Sequence, residues 1–415
     1  MPSVTDHTRS KSDGLSRFPD QVLVQIFEAV ASLSKRDLCH VSRLNKRYHV
    51  LADAVLYKTV HFLTPELHLI FSESLKRRPR RGSAIYEAKL AYPASELSRL
   101  AVQAPNGPNG RDTPWPFDGL SRTISTMSNL ETLDVAVPDT LLHGIGKLFD
   151  SPFDLACLKS CTLFYQTEDD QYWDLQENIH IFAHPTLETL VIRRAKLDHR
   201  GFDLIERPHE TALSKLHLIE CDINDDALSD LLVFPRALKE FVMTQTEDPS
   251  PELEESSDSI RDYVIALDSA SHSLETVTID FPLLQTSRPL ALRGFTALKT
   301  LRINWDHQLF GKTSKKPRLQ SVGLPPELET LEFFNKLGTD DEVTELFVHA
   351  IENLDITARK LSRLIVSEGE GDDIIPREIE EACKLKEHLE LDIIGRMDTV
   401  PVQGNFTGDD TEGNE

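Results

Sequence analysis

The chain has 415 residues, of which 40% are hydrophobic and 27% charged, and a formal net charge of −23. This length predicts more than one folding unit, and the composition is that of a globular protein with a substantial core. The strong negative charge repels phosphate backbones and anionic lipid heads, so we expect neither nucleic acid nor a membrane surface among the partners. No run of about 18 apolar residues occurs, and we expect neither a transmembrane helix nor a secretory signal.

The five cysteines are odd in number and mostly scattered, which is typical of reduced intracellular thiols rather than a disulfide framework. We therefore expect a cytoplasmic or nuclear location, or both. Cys157 and Cys161 are four residues apart, but no second pair follows them, so zinc is not expected.

The first elements predicted along the chain are three short helices in residues 14–60, after a polar and disordered segment at residues 1–13. Leu23, Ile26 and Phe27 fall on one helical face, and Ser34 before Asp37 is typical of the N-cap of a second helix. Three helices in fewer than fifty residues form a small core. One alternative is a helical bundle without a partner, and the other is a module that a partner's surface completes.

The order of residues in this segment resembles the F-box family. Phe18-Pro19-Asp20 stands at the family's Leu-Pro opening, and Asp37-Leu38 stands at the pair that opens its second helix. Asn45-Lys46-Arg47-Tyr48 corresponds to the family's Cys-Lys-Arg-Trp, and Leu51-Ala52 and Leu56-Tyr57 correspond to its closing pairs. The chain departs from the family in three ways: Phe18 replaces Leu, Tyr48 replaces Trp, and about three extra residues, 31–33, lengthen the first helix.

The resemblance implies a docking module for a Skp-type adaptor, which in turn holds a cullin. The residues that it places at or beside the adaptor are Phe18, Pro19, Leu23, Ile26, Leu38 and Val41. Burial of each large aliphatic side chain contributes roughly 1.5–3 kcal/mol, so a few such contacts suffice for a stable interface.

A short phrase, Leu-x-x-Leu-x-apolar, recurs through the chain after a helical or loop linker at residues 61–125. It starts at Leu130, Leu158, Leu187, Leu213, Leu238, Leu274, Leu298, Leu328 and Leu361, with a degenerate copy at Leu385. Repeats of this length predict a solenoid, in which each unit buries its apolar face against the next. Helical patterns follow several phrases, at residues 140–149, 226–233 and 258–268 and from Asp341 onward.

Residues 213–228 match the cysteine-containing leucine-rich-repeat pattern at every named position, with Cys221 at the turn. Similarity to this family implies that Cys221 is a buried turn residue rather than a nucleophile or a metal ligand. It also implies an α/β fold class: an irregular leucine-rich-repeat horseshoe over residues 126–396, with a parallel concave sheet and helices on the convex side. An acidic, disordered tail is expected at residues 397–415.

In such a horseshoe, alternate strand residues face the concave side. Five cations there are candidate target-binding residues: Arg193, Lys215, His217, Arg302 and Arg363. One interpretation is a target with an acidic or phosphorylated segment, and the alternative is a solvated face without a specific ligand. The basic run at residues 76–81 leaves nuclear import and a surface loop beside the helical module as alternatives.

No nucleophile elbow, phosphate-binding loop or dinucleotide motif occurs, so we expect no catalytic residue, no cofactor and no metal. The hypothesis is a non-catalytic receptor of a Skp–cullin–F-box ubiquitin ligase that binds a target protein through its repeats. The alternative is a scaffold protein, adaptor-bound or free, with no part in ubiquitin transfer.

Overall fold

A computed structural model describes most of the chain. The described residues are 14–92, 123–139, 155–167, 171–198, 210–245, 256–284, 286, 288–305, 309, 323–334, 337, 341–367 and 375–394.

Three helices open the described chain: α1 (Asp20–Leu33), α2 (Lys35–Val41) and α3 (Lys46–Lys58). Each of the last two begins at a side-chain cap. The Ser34 hydroxyl accepts from the Asp37 amide at 3.2 Å, and the Asn45 side chain accepts from the Tyr48 amide at 2.8 Å. Each cap satisfies an amide that has no partner inside its helix, which fixes where α2 and α3 start.

The three helices share a small core of their own. It consists of Leu23, Phe27, Leu38, Tyr48 and Ala52, all at most 2% exposed. The ring of Phe27 meets that of Tyr48 edge to face, with centroids 5.6 Å apart. An aromatic pair of this geometry adds roughly 0.5–1.5 kcal/mol beyond its buried area, a large contribution for so small a module.

Twelve parallel strands form one sheet, and their order in the sheet is their order along the chain. The strands are β1 (Thr59–Phe62), β2 (Glu87–Ala91), β3 (Thr132–Pro138), β4 (Ser160–Gln166), β6 (Thr189–Arg193), β8 (Lys215–Ile219), β10 (Glu240–Thr244), β11 (Thr276–Asp280), β12 (Thr300–Ile303), β13 (Thr330–Phe333), β14 (Arg363–Ser367) and β15 (Glu390–Ile394). This arrangement is what a repeat solenoid requires, because each unit pairs only with its neighbours.

One register runs across the whole sheet. The first residue of each strand pairs with the first residue of the next, as in the row Thr189, Lys215, Glu240 and Thr276. The second and fourth residues, such as Leu216 and Leu218, are buried against the helical layer. The first and third residues, such as Lys215 and His217, lie on the opposite side, which we call the open face.

The main core lies between the sheet and a layer of helices. The helices are α4 (Pro65–Arg77), α5 (Asp225–Leu231), α6 (Ile260–Ala266), α7 (Asp341–Glu352), α8 (Leu354–Thr357) and α9 (Arg377–Lys384). Tyr263 of α6, Phe347 of α7 and Ile379 of α9 are at most 2% exposed within this core. None of the helices in the described residues is long and apolar enough to cross a bilayer.

A mixed α/β class with N-terminal helices and a long parallel sheet is therefore confirmed. Each of the nine leucine phrases from Leu130 to Leu361 is followed by a strand, and that strand begins two residues after the first leucine of the phrase. Helices α5, α6 and α7 overlap the predicted ones. The expected helix at 140–149 and the terminal segments 1–13 and 397–415 lie outside the described residues.

The prediction that the last repeat starts at Leu385 is wrong. Leu385 is 78% exposed at the end of α9, and β15 begins only at Glu390. The register pairs Leu364 of β14 with Leu391, so the true repeat lies three residues later than the phrase places it.

The sheet also begins earlier than the first phrase. Strand β1 follows α3 with no residue between Lys58 and Thr59, and β2 lies in the segment predicted as a linker. Neither strand carries the leucine phrase. Phe62 of β1 packs instead on α4, where its ring stacks on that of His68 at 4.5 Å.

Three short strands form a second parallel sheet where the chain leaves the main one: β5 (Trp173–Asp174), β7 (Ala195–Leu197) and β9 (Asp222–Ile223). Arg194 lies between β6 and β7, and Glu220 lies just before Cys221 and β9; their backbone φ angles are 52° and 53°. The two side chains form an ion pair at 3.3 Å. A positive φ costs free energy in a residue with a side chain, so both turns depend on the surrounding repeats. Cys221 follows the second turn and is fully buried.

Candidate functional sites on the helical module and the open face

The residues predicted to contact an adaptor fall into two groups. Leu23 and Leu38 are 0% exposed and form the interior of the helical module. Phe18, with 44% of its surface exposed, and Pro19 lie outside, while Ile26 and Val41 are partly buried. The exposed group can touch a partner directly, whereas Leu23 and Leu38 hold the helices that present it.

The motif at Asn45–Tyr48 has a structural role in this presentation. Arg47 donates to the Phe18 carbonyl oxygen at 2.6 Å and pairs with Asp20 at 2.6 Å. These two bonds tie the start of α3 to the start of α1, while the neighbouring Tyr48 fills the core. The Arg47 side chain therefore fixes the position of the exposed Phe18-Pro19 turn.

Sequence reasoning missed three exposed apolar residues of the module. Leu15 is 39% exposed, Leu44 68% and Leu33 89%. Leu33 is the last residue of α1 and belongs to the extension that departs from the family pattern. Each of the three adds apolar area to the exposed surface of the module. Spacing gave no signal of this exposure: Leu33 follows Val30, and Leu44 follows Val41, at the helical interval of three residues, which predicts burial for both.

Ionic and aromatic contacts join the helical module to the segment between α4 and β2, and one further ion pair links two helices of the module. Arg81 pairs with Asp53 of α3 at 3.0 Å, and its guanidinium lies 4.5 Å from the centre of the Tyr57 ring. Lys58, the last residue of α3, pairs with Glu28 of α1 at 2.7 Å. The hydrogen bond and the charge of Glu28 raise the pKa of Lys58 above its ordinary value. Within the basic run, Arg81 thus anchors the module.

A model of the F-box-like family matches residues 15–63. The match spans α1 to α3 and ends just after β1. Among curated proteins, none matches this chain. F-box domains are typically non-catalytic modules, and the match supports an F-box protein that binds a Skp-type adaptor.

Four of the five candidate cations on the open face are neutralised by neighbouring strands. Lys215 and His217 both reach Glu240 of β10, at 2.9 and 3.0 Å. Arg302 pairs with Glu332 of β13 at 2.9 Å, and Arg363 pairs with Asp392 of β15 at 2.5 Å. Aligning the repeats already predicts two of these neighbours, because Glu240 and Glu332 stand at the phrase positions of Lys215 and Arg302.

Titration around Glu240 agrees with this pairing. Burial raises the pKa of Glu240, but the hydrogen bond from Lys215 and the charges of His217 and Lys215 outweigh it and leave the pKa below its ordinary value. Burial lowers the pKa of His217 despite the opposing charge of Glu240. At neutral pH this cluster holds one cation and one anion beside a neutral imidazole, so it does not form a basic patch.

Arg193, the fifth candidate, has no carboxylate neighbour of this kind within the described ranges. Its guanidinium lies 5.4 Å from the centre of the Phe164 ring on β4. Its backbone carbonyl accepts the Trp173 indole N–H at 2.7 Å, which fixes the end of β6. The structure therefore places the five predicted cations on one face but leaves them electrostatically unequal.

The buried thiols serve packing. Cys221 Sγ lies 3.3 Å from the Ile219 carbonyl oxygen, and burial raises the pKa of its thiol to about 12. Burial also raises the pKa of Cys383 to about 11 and that of Cys161 well above its ordinary value. A protonated, enclosed thiol is neither a nucleophile nor a metal ligand. Within the described residues, no group of three or more His, Cys, Asp and Glu side chains is placed to hold a metal ion.

Proposed function

We propose that this chain is the substrate-recognition subunit of a Skp–cullin–F-box ubiquitin ligase, and that its sheet is the concave face of a leucine-rich-repeat horseshoe. The observation that carries the proposal is a helical module, matched by the F-box-like family, that leaves apolar residues in water and continues directly into a repeat array. In this reading the helices bind the adaptor, and the open face binds a target protein. The chain contributes proximity, and other subunits perform the chemistry.

The repeat family is proposed from the residues of one unit. Leu213, Leu216 and Leu218 are buried at the spacing of the phrase, and Cys221 is buried where the chain turns out of the sheet. The Cys221 thiol lies near the backbone oxygens of Ile192 and Ile219, at 3.5 and 3.3 Å. Ala195 occupies the equivalent turn position in the preceding unit and is also buried.

The adaptor surface can be tested without unfolding the module. We would co-express the full chain with a Skp-type adaptor and compare wild type with the double variant Phe18→Asp/Pro19→Ala. The matched control is Ile70→Asp, because Ile70 is 66% exposed on α4 and lies beyond the matched residues. We expect co-purification with wild type and the control and its loss with the double variant. Failure of wild type to bind any Skp-type adaptor would refute the proposal.

A second measurement separates the receptor from the scaffold. We expect a cullin to co-purify with the chain and adaptor, and ubiquitin to be transferred when the activating and conjugating enzymes are supplied. Binding of the adaptor without cullin or ubiquitin transfer would favour the scaffold. The cytoplasmic or nuclear location stays a prediction.

A further inference from the structure

Arg193 differs from the other four candidate cations because it is half-buried and has no carboxylate beside it among the residues that the structure describes. Its Nε atom is buried and makes no hydrogen bond within the described part of the chain. The other four candidate cations each lie within 3.0 Å of a carboxylate. Partial burial of an arginine without an anion costs free energy, and such costs are retained where the charge has a ligand.

The surroundings of Arg193 are apolar. The register places Phe164 of β4 on one side of it and Ile219 of β8 on the other. Val191 precedes it on the same side of β6, and Ile219 is only 6% exposed. The face of the Phe164 ring attracts the guanidinium but supplies no hydrogen-bond acceptor. The Arg193 guanidinium therefore lies among apolar neighbours, with the Phe164 ring 5.4 Å away.

We propose that Arg193 anchors a carboxylate side chain, from Asp or Glu, on an extended segment of the target, whose neighbouring apolar residues pack on the half-buried Phe164 and Val191. This inference rests on the proposed role of the open face as the target site and names the chemistry of the target there. The carboxylate supplies the acceptor that the guanidinium lacks, and a planar carboxylate matches its paired donors.

The charges around the site favour a carboxylate over a phosphate. Asp134 on β3 lies two strands and two residues from Arg193, and Glu240 on β10 lies two strands and four residues from it, which is about 12 Å and about 16 Å at the usual spacings. A phosphate dianion needs more than one cation, yet Lys215 is already paired with Glu240. A single negative charge is therefore what this part of the face accommodates.

The test uses the full chain as bait and a displayed library of random peptides of about twelve residues, which span about 40 Å when extended. We expect wild type to select peptides with Asp or Glu beside apolar residues. Peptide affinity, measured by calorimetry, should fall about tenfold when that acid becomes Asn or Gln, and equally with Arg193→Gln. Combining the two changes should add little further loss, since both remove one contact.

The control is Arg363→Gln, which removes a cation on the same face that is already paired with Asp392, and we expect less than about a twofold change. Arg193→Lys should give an intermediate affinity, and thermal melts check that each variant is folded. If Arg193→Gln does not fold, the acid-to-amide change in the peptide measures the same contact.

The proposal is overturned if the library yields no acidic peptide, or if Arg193→Gln binds the selected peptides as wild type does. It is also overturned if a phosphoserine in place of the acid binds tighter, since that assigns a phosphate. Adaptor binding is measured separately. A chain that binds acidic peptides through Arg193 but no Skp-type adaptor refutes the ligase role and leaves this assignment standing.

Discussion

His68 on α4 should make the stability of the chain depend on pH below neutrality. Its side chain is 0% exposed, its ring stacks on Phe62, and Nδ1 lies 3.1 Å from the Tyr92 hydroxyl oxygen. Burial lowers the pKa of this imidazole to about 3, so it stays neutral in the folded chain under mild acid. In the unfolded chain it returns to an ordinary pKa of about 6.5.

Because the folded-state pKa lies below the unfolded-state pKa, the unfolded chain takes up the proton first as the pH falls. The contribution of His68 to stability is therefore complete above about pH 6.5 and declines by about 1.4 kcal/mol per unit down to the folded-state pKa of about 3. Between about pH 7.5 and about pH 5, this lowers the free energy of unfolding by about 2 kcal/mol.

The assay is urea unfolding followed by circular dichroism at the two pH values. His68→Gln keeps a polar partner for Tyr92 but does not titrate, so its stability should fall by about 2 kcal/mol less than that of wild type over this range. The difference between the two proteins cancels other groups, including His61 and His217, whose pKa values are also lowered by burial. His272→Gln, at an exposed position, is the control. An identical pH dependence for wild type and His68→Gln would refute the reasoning.

Three further outcomes are expected. Of the five cysteines, only the exposed Cys39 and Cys157 should react rapidly with a thiol reagent in the folded chain, as counted by mass spectrometry. Fast labelling of Cys221 would contradict its burial at the turn after β8. Leu23→Ala should destabilise the helical module by about 2–5 kcal/mol through loss of packing, seen as faster hydrogen exchange in α1 to α3 with the sheet unaffected. Arg81→Ala should lower the free energy of unfolding by about 1.5–3 kcal/mol, because it removes charge-assisted, only partly exposed hydrogen bonds to Asp53. Hydrogen exchange in α3 at the wild-type rate would contradict the role of Arg81 as an anchor.

The repeat array was largely readable from the sequence because its signal is local. Each phrase that begins at a leucine such as Leu213 specifies a buried strand, and Cys221 marks the turn that follows. The phrase failed at both ends of the array. Strand β1 is covered by α4 through the stacked rings of Phe62 and His68, and at β15 His388 stands where the phrase has its first leucine.

The site was less readable because function depends on which residues meet across strands. Lys215 and Arg302 look like free cations along the chain, and the carboxylates of Glu240 and Glu332 emerge as their neighbours only when the repeats are aligned, as the register of the strands does. Similarly, Leu23 and Phe18 both belong to the F-box resemblance, but burial separates a core residue from a surface one. Composition and spacing do not report that difference.

Under the proposed receptor role, the direct passage from Lys58 to Thr59 would affect which lysines of a target receive ubiquitin. With no flexible tether between the helical module and the first strand, an adaptor on the helices and a target on the open face would be held at a set distance. Twelve strands at about 4.8 Å span about 50 Å, so a target that docks one repeat further along is displaced by a single strand spacing. The position of the target along the sheet would then set its distance from the adaptor, and this distance, as well as the contacts, would determine which lysines are selected. Inserting a few glycine and serine residues between Lys58 and Thr59 should make more lysines of the target accept ubiquitin and leave the affinity for the target unchanged.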